Sequence, residues 1–171
     1  MTFPNIYLAS GSPRRRELLQ QIGVEFDVIK LDVDESQLEG EAPLAYAERV
    51  AKAKAQAGWQ AIIEQQKLQR PVIGADTAVI VEQTILGKPS DPEQAKTMLA
   101  MLSGRTHQVI TSVALAQHND IKIKTSVNEV TFAELDQQRI DWYVDTGEGV
   151  DKAGSYAVQG LAALFIERIS G

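Results

Sequence analysis

The 171-residue sequence predicts an α/β protein with a mixed, twisted sheet and flanking helices. Three observations carry that reading. Short apolar runs alternate with capped helical segments from Ile6 to Gly104. Two further runs, Val109 to Ala116 and Ile121 to Phe132, follow each other through His118-Asn119-Asp120 as a hairpin would. No stretch of linker composition separates these parts, so residues 1–171 are read as one domain with a small β-rich lobe.

The first strand is expected over Ile6 to Ala9, breaking at Ser10-Gly11. A helix then opens with Ser12 as N-cap and Pro13 at the first helical position, and Gly23 ends it. Phe26 to Leu31 reads as a strand running into the acidic segment Asp32-Val33-Asp34-Glu35. A second helix is expected from Pro43 to just before Gly58, with a looser continuation from Trp59 to Gln65. Val72 to Val81 is an apolar run of strand character, and Asp91 caps a helix that opens at Pro92 and stops at Gly104, with Gln94 at the capping-box position. In the second hairpin run the alternation slips between Val127 and Val130, where a bulge is expected. A short helix over Glu134 to Val144 and a last strand over Leu161 to Ile169 complete the chain.

Composition narrows the function classes. At 44% hydrophobic and 23% charged residues the chain has the balance of a soluble globular protein. No apolar run approaches the roughly 18 residues of a membrane span, so no membrane partner is expected. The net charge of −6 argues against a nucleic-acid footprint. With no cysteine, disulfides and thiolate chemistry are excluded, and the two histidines, His107 and His118, are too few for a histidine-rich zinc site. The N-terminal residues carry no secretory pattern, which together with the cysteine count fits a cytoplasmic protein.

Against this acidic background a few polar residues stand in unusual places. Three arginines, Arg14, Arg15 and Arg16, follow Pro13 in the first helical turn, where the helix dipole disfavours positive charge. A phosphate bound at the loop and helix start would account for them, and so would a solvated basic helix end. Asp76 interrupts a run that belongs in a buried strand, and a carboxylate there needs a cation, a metal or a hydrogen-bond network. A neighbouring lysine would satisfy it structurally. Lys54 lies seven residues after Ala47, on the inward face defined by Ala47, Val50 and Ala51, so it either snorkels or pairs with an anion. Lys88 precedes Pro89, which favours extended geometry and projects the side chain off a turn.

Whole motifs add to these single residues. Ala9-Ser10-Gly11-Ser12-Pro13-Arg14-Arg15 resembles the opening signature of the Maf family, the septum-formation-inhibitor-like nucleoside triphosphate pyrophosphatases. In order along the chain, Val33-Asp34-Glu35, Arg49-Val50-Ala51-x-x-Lys54-Ala55, Gly74-Ala75-Asp76-Thr77, Gly87-Lys88-Pro89, Leu102-Ser103-Gly104 with His107, and Asp151-Lys152-Ala153-Gly154 followed by Gln159-Gly160 match it too. The resemblance covers residues 6–169, and the family's usual closing segment after the last strand is expected to be absent.

The resemblance implies an ITPase-like, Maf-like architecture and a nucleoside triphosphate substrate, and it leaves room for a homodimer. It makes Asp76 the base that activates water, with Glu35 and Lys54 as its catalytic neighbours. Asp76 and Glu35 would hold a divalent cation, Mg²⁺ or Mn²⁺. Ser10, Ser12, Arg14, Arg15, Thr77, Lys88, Lys152 and Gln159 would bind substrate. His107 reads as a structural histidine more readily than a catalytic one. The combination of Arg14, Thr77 and Gln159 resembles the dTTP/UTP subgroup. A glutamine amide can accept from uracil N3–H and donate to O4, whereas a glutamate can only accept. The alternatives are the same chemistry on another nucleotide, such as 7-methyl-GTP, and a non-catalytic nucleotide-binding regulator of cell division.

Overall fold

A computed structural model describes residues 3–171. Strand β1 (Ile6–Ala9) leads through a loop into helix α1 (Pro13–Gln21), which Pro13 opens. Ser12 has extended backbone but its hydroxyl caps nothing; instead its amide donates to Ser10 Oγ at 3.2 Å, so the expected side-chain cap is replaced by a bond within the loop. Helix α1 ends as expected at Gly23, whose φ of +73° suits glycine, with the Gly23 amide bonded to Gln20 and the Val24 amide to Leu19. Strand β2 is only Phe26–Val28, shorter than the apolar run that announced it.

Helix α2 runs unbroken over Pro43–Glu64. The expected stop at Gly58 does not occur, because this glycine serves packing. A Cβ there would lie 2.7 Å from Val72 Cγ1 and 3.1 Å from Ala9 Cβ. The real terminus uses Gln66 in the left-handed region, φ 51°, with the Gln66 amide bonded to Ile63 and the Lys67 amide to Ile62. The same C-terminal hydrogen-bond pattern closes α1 and α2, once with glycine and once without it.

Strand β3 (Val72–Val81) matches its expected bounds, and β4 (Thr84–Leu86), which the sequence did not announce, returns from it antiparallel. The turn between them places Glu82 and Gln83 at positive φ, where Asn-Gly would have given a sequence signal. Helix α3 (Pro92–Leu102) is capped by Asp91 Oδ1, which accepts from the Gln94 amide at 2.8 Å, while Gln94 Oε1 reaches back to the Ser90 amide. Strands β5 (Thr106–Gln117) and β6 (Asp120–Phe132) form the expected hairpin runs with longer ends.

The irregularity in the pairing of β6 with the last strand lies between Thr131 and Phe132, past the slip at Val127 to Val130. Helix α4 (Gln137–Asp145) starts later than expected because Asp136 caps it by accepting from the Arg139 amide. Leu161–Phe165 is a 3₁₀ segment, and only Ile166–Ser170 forms the last strand, β7.

The seven strands make one sheet in the order β2-β1-β3-β5-β6-β7, with β4 paired to β3. Pairing is parallel for β1 with β2 and with β3, and antiparallel for β3 with β4 and β6 with β7, which makes the sheet mixed. The parallel pairs place α1 and α2 in crossover connections. Two compact units divide the chain: the first takes the segment up to Asp76 and Thr111–Thr125, the second Thr77–Ile110 and Ser126–Gly171.

The first unit packs Tyr7, Ala9, Ile29, Ile62 and Val72 together, and Ala51 and Ala55 of α2 against Ala114 and Ala116 of β5. The core of the second gathers Leu99, Leu102, Val130, Phe132, Ile140, Tyr143, Tyr156 and Phe165. Among the described residues no helix is long and apolar enough to cross a membrane.

Candidate active site

In the first unit the close packing of α2 on β3 builds a charged cluster. Gly74 admits the helix: a Cβ there would lie 2.4 Å from the Ala55 nitrogen and 2.6 Å from the Ala51 oxygen. Side chains two apart on a strand share a face, so Asp76 points to the same side as that missing Cβ. Lys54 meets it there, with Nζ 2.8 Å from Asp76 Oδ1 and 2.9 Å from Glu35 Oε1. The Asp76 side chain is 8% exposed, Lys54 12% and Glu35 40%, so one ammonium joins a buried carboxylate to an accessible one.

Burial is the largest influence on Asp76 and pushes its carboxyl above the usual range; Lys54 opposes this, and Glu35 adds to it. Arg15 stands close enough to feel both carboxylates. Burial lowers its guanidinium pKa, and the fields of Asp76 and Glu35 act against that loss. Its Nη1 donates to Ser10 Oγ at 3.0 Å, and Ser10 is itself buried. Arg14 has turned the other way, to Glu17 at 2.9 Å, with no partner for its buried Nε.

Tyr46, which sequence reasoning did not single out, and Arg49 and Asp34, which it quoted only within motifs, hold the Glu35 segment. Tyr46 donates to the Glu35 carbonyl at 2.9 Å. Arg49 grips both oxygens of Glu41, at 2.6 and 2.8 Å, and also donates to the Ser36 carbonyl at 2.9 Å. Asp34 accepts from the Ser36 amide and hydroxyl, so it turns the loop and leaves Glu35 to meet Lys54. The i, i+3 spacing of Tyr46 and Arg49 could have suggested that these two act together.

The second unit arranges its candidates differently. Thr77 is half-buried on β3, Lys88 and Gln159 are exposed, and Lys152 pairs with Asp151. The Gly154 amide donates to the Gly87 carbonyl at 3.0 Å, tying the Lys152 loop to the Lys88 loop through backbone. Gly154 has a φ of +66°, and a Cβ there would lie 2.8 Å from Val79 Cγ1, so both conformation and space demand glycine. The hydrogen bond from Lys152 holds the Asp151 carboxyl below its usual range, and Lys88 contributes a smaller lowering.

His107 is buried. Its Nε2 shares a 2.7 Å hydrogen bond with the Tyr156 hydroxyl, and its ring stands edge-on to Phe132. Burial pushes its pKa down to about 4, which makes it a neutral core residue, as the sequence reading favoured.

The Maf-like protein family model matches residues 5–171. The chain belongs to that family. Among relatives of this Maf-like protein, the dTTP/UTP pyrophosphatase of Aliivibrio fischeri is 49% identical over 166 residues, covering 97% of this chain and 87% of that protein. The dTTP/UTP pyrophosphatase of Chromobacterium violaceum is 47% identical over 166 residues, covering 97% and 84%. The Staphylococcus aureus Ham1 protein superposes with a TM-score of 0.54 at 20% identity, over 77% of this chain and 73% of that one, a likeness of fold.

Proposed function

We propose that this Maf-like protein hydrolyses nucleoside triphosphates, dTTP and UTP above others, between the α and β phosphates. The products are the monophosphate and pyrophosphate. The observation that carries the reading is the Lys54 ammonium shared by Asp76 and Glu35, a buried base held ionised beside an accessible carboxylate. The dTTP/UTP pyrophosphatase relatives, 47 and 49% identical over nearly the whole chain, supply the substrate class.

In this mechanism Asp76 takes a proton from a water molecule as the water oxygen bonds to the α phosphorus. The bond from that phosphorus to the bridging oxygen breaks, and pyrophosphate leaves with its electron pair. Burial raises the basicity of Asp76, while Lys54 opposes that rise and orients the carboxylate. Arg15, fixed by Ser10, supplies preorganised positive charge for the phosphate oxygens, and Lys88 and Lys152 add more. Ser12 and Arg14 complete the loop and helix start that receive phosphate. Thr77 and Gln159 contribute to substrate selection.

Asp76 and Glu35 already grip one cation between them, so their donor chemistry fits a divalent ion that takes one or two protein carboxylates and completes its shell with phosphate and water. Among the described residues no group of three or more His, Cys, Asp or Glu side chains could hold a metal ion. When bound, Mg²⁺ or Mn²⁺ would neutralise phosphate charge.

Pyrophosphate release from dTTP, UTP, CTP and GTP, with Mg²⁺ or Mn²⁺, tests the reading. Selective release from dTTP and UTP, reduced about 10³-fold in Asp76→Asn with the fold intact, is expected. Comparable turnover of GTP and UTP would sink the pyrimidine assignment, and near wild-type turnover in Asp76→Asn would remove Asp76 as base.

A further inference from the structure

Gln159 sits in a turn that two side chains bracket from both ends. The turn closes when the Gly160 amide donates to the Ala157 carbonyl at 3.0 Å, with Val158 and Gln159 between them. Before it, the Ala157 amide donates to the Tyr143 hydroxyl oxygen at 3.3 Å. After it, the Leu161 amide donates to Glu148 Oε1 at 2.9 Å and the Ala162 amide to Glu148 Oε2 at 3.4 Å. The bracket is continuous, because the Tyr143 hydroxyl donates to Glu148 Oε2 at 2.7 Å. Tyr143 is fully buried in the core, so the bracket is anchored on a rigid element.

Gly160 confirms that room was made for this carboxylate. A Cβ at position 160 would lie 2.0 Å from Glu148 Oε1. Its backbone, φ −118° and ψ −151°, is extended, so glycine is required there by space rather than by conformation.

We propose that Tyr143 and Glu148 are positioning residues for base selection, holding the Ala157–Gly160 turn so that Gln159 meets the base from one fixed backbone position. This rests on the reading of Gln159 as the contact to the pyrimidine edge. Uracil presents a donor at N3 and an acceptor at O4; cytosine presents the opposite pair. A glutamine amide serves either by rotating half a turn about its last side-chain bond, so the backbone turn fixes where the amide stands against the base edge, and a displaced turn lets either orientation pair. Neither bracketing side chain needs to touch the phosphates. Their loss therefore acts on binding and selectivity rather than on the chemical step.

The test measures kcat and KM for UTP and CTP in the wild type, Glu148→Gln, Gln159→Ala and the double variant, with circular dichroism and melting to verify the fold. An amide presents a donor at one of the two positions where the carboxylate accepts, so Glu148→Gln breaks one side of the bracket with little change in volume. The expected result is a fall of about tenfold in the UTP-to-CTP ratio of kcat/KM, carried by KM for UTP, with kcat within about twofold. In the Gln159→Ala background Glu148→Gln should change the ratio no further.

An unchanged ratio in Glu148→Gln, or additive losses in the double variant, overturns the proposal. So does an equal fall in kcat for both nucleotides, which marks a purely structural role. Tyr143→Phe removes only the hydroxyl and carries the same test if Glu148→Gln does not fold. A wild type that does not separate UTP from CTP, or a Gln159→Ala variant that still does, overturns the base-edge reading itself. That failure is distinct from a selective wild type with a silent Glu148→Gln.

Discussion

The two units of this protein differ in what holds their candidate residues. In the first, charge holds charge: Lys54 is fixed by Asp76 and Glu35, and Arg49 by Glu41, with Ser10 holding Arg15. In the second, Lys152 pairs with Asp151, but the loops themselves are held through backbone, by Gly154 on Gly87 and by the amides of Ala157, Leu161 and Ala162 on Tyr143 and Glu148. The side chains it presents, Lys88 and Gln159, are exposed. A buried ion cluster suits bond breaking, where a base must keep one position and one protonation state. Exposed side chains on a tethered loop suit recognition, where only the frame need be rigid.

The sharpest way to break this contrast is to remove the cation from the first unit. Lys54→Met should lower turnover by about 10³-fold. The acid limb of its pH–rate profile should also move upward, because Lys54 is the main influence opposing the burial that raises Asp76. A residual rate whose pH profile is unshifted would show that Lys54 does not set the state of the base.

Gly74→Ala attacks the same cluster through backbone. The new methyl would have to displace Ala51 and Ala55 of α2, so a loss of about 3 kcal/mol in denaturant unfolding, together with lower turnover, is expected. Stability within about 0.5 kcal/mol of wild type would mean that α2 and β3 can separate freely.

His107 sharpens the comparison from the second unit, where a buried group is held neutral. Its pKa is depressed on folding from the ordinary 6.5 to about 4. Its contribution is therefore complete above the unfolded value and is lost as pH falls from about 6.5 towards about 4. Stability should drop by roughly 2 kcal/mol between about pH 7 and about pH 5 on this account, and the drop should flatten in His107→Gln. Denaturant titrations of both proteins at the two pH values check it.

Arg49→Lys is the mildest change. It keeps the charge but loses the planar fork on Glu41 and the bond to Ser36. A KM or turnover penalty of about fivefold, roughly 1 kcal/mol, is expected from a loosened Glu35 loop. Steady-state kinetics would show it, and no change would assign the loop to Tyr46 alone.

The same contrast explains what the sequence made legible. Asp76 and Lys54 stood out because each breaks an apolar pattern, and the structure pairs them. Helices α1 and α3 were readable because Pro, Gly and Asp mark their ends. Helix α2 was misread at Gly58, since a glycine placed for a neighbour's methyl looks the same in sequence as one placed to stop a helix. Strand β4 was missed because Glu82 and Gln83 make its turn without glycine or asparagine. In the second unit, Lys88 carried only the weak signal of the proline after it, and Lys152 and Gln159 came from motif resemblance. What holds Gln159 is a set of backbone amides meeting Tyr143 and Glu148, a long-range pairing that periodicity does not encode.

The contact of Gly74 with α2 has a consequence for how this protein tolerates change. Where a helix rests on a sheet through side chains, its height follows their volumes, and each substitution in that layer moves it. At Gly74 the helix stops against the strand main chain, with the Ala51 carbonyl and Ala55 amide as the bearing surface. The height of α2 over β3 beside Lys54 and Asp76 is then set by main-chain contact rather than by side-chain volume. The rest of the core is left free to drift in composition without moving the helix away from Asp76.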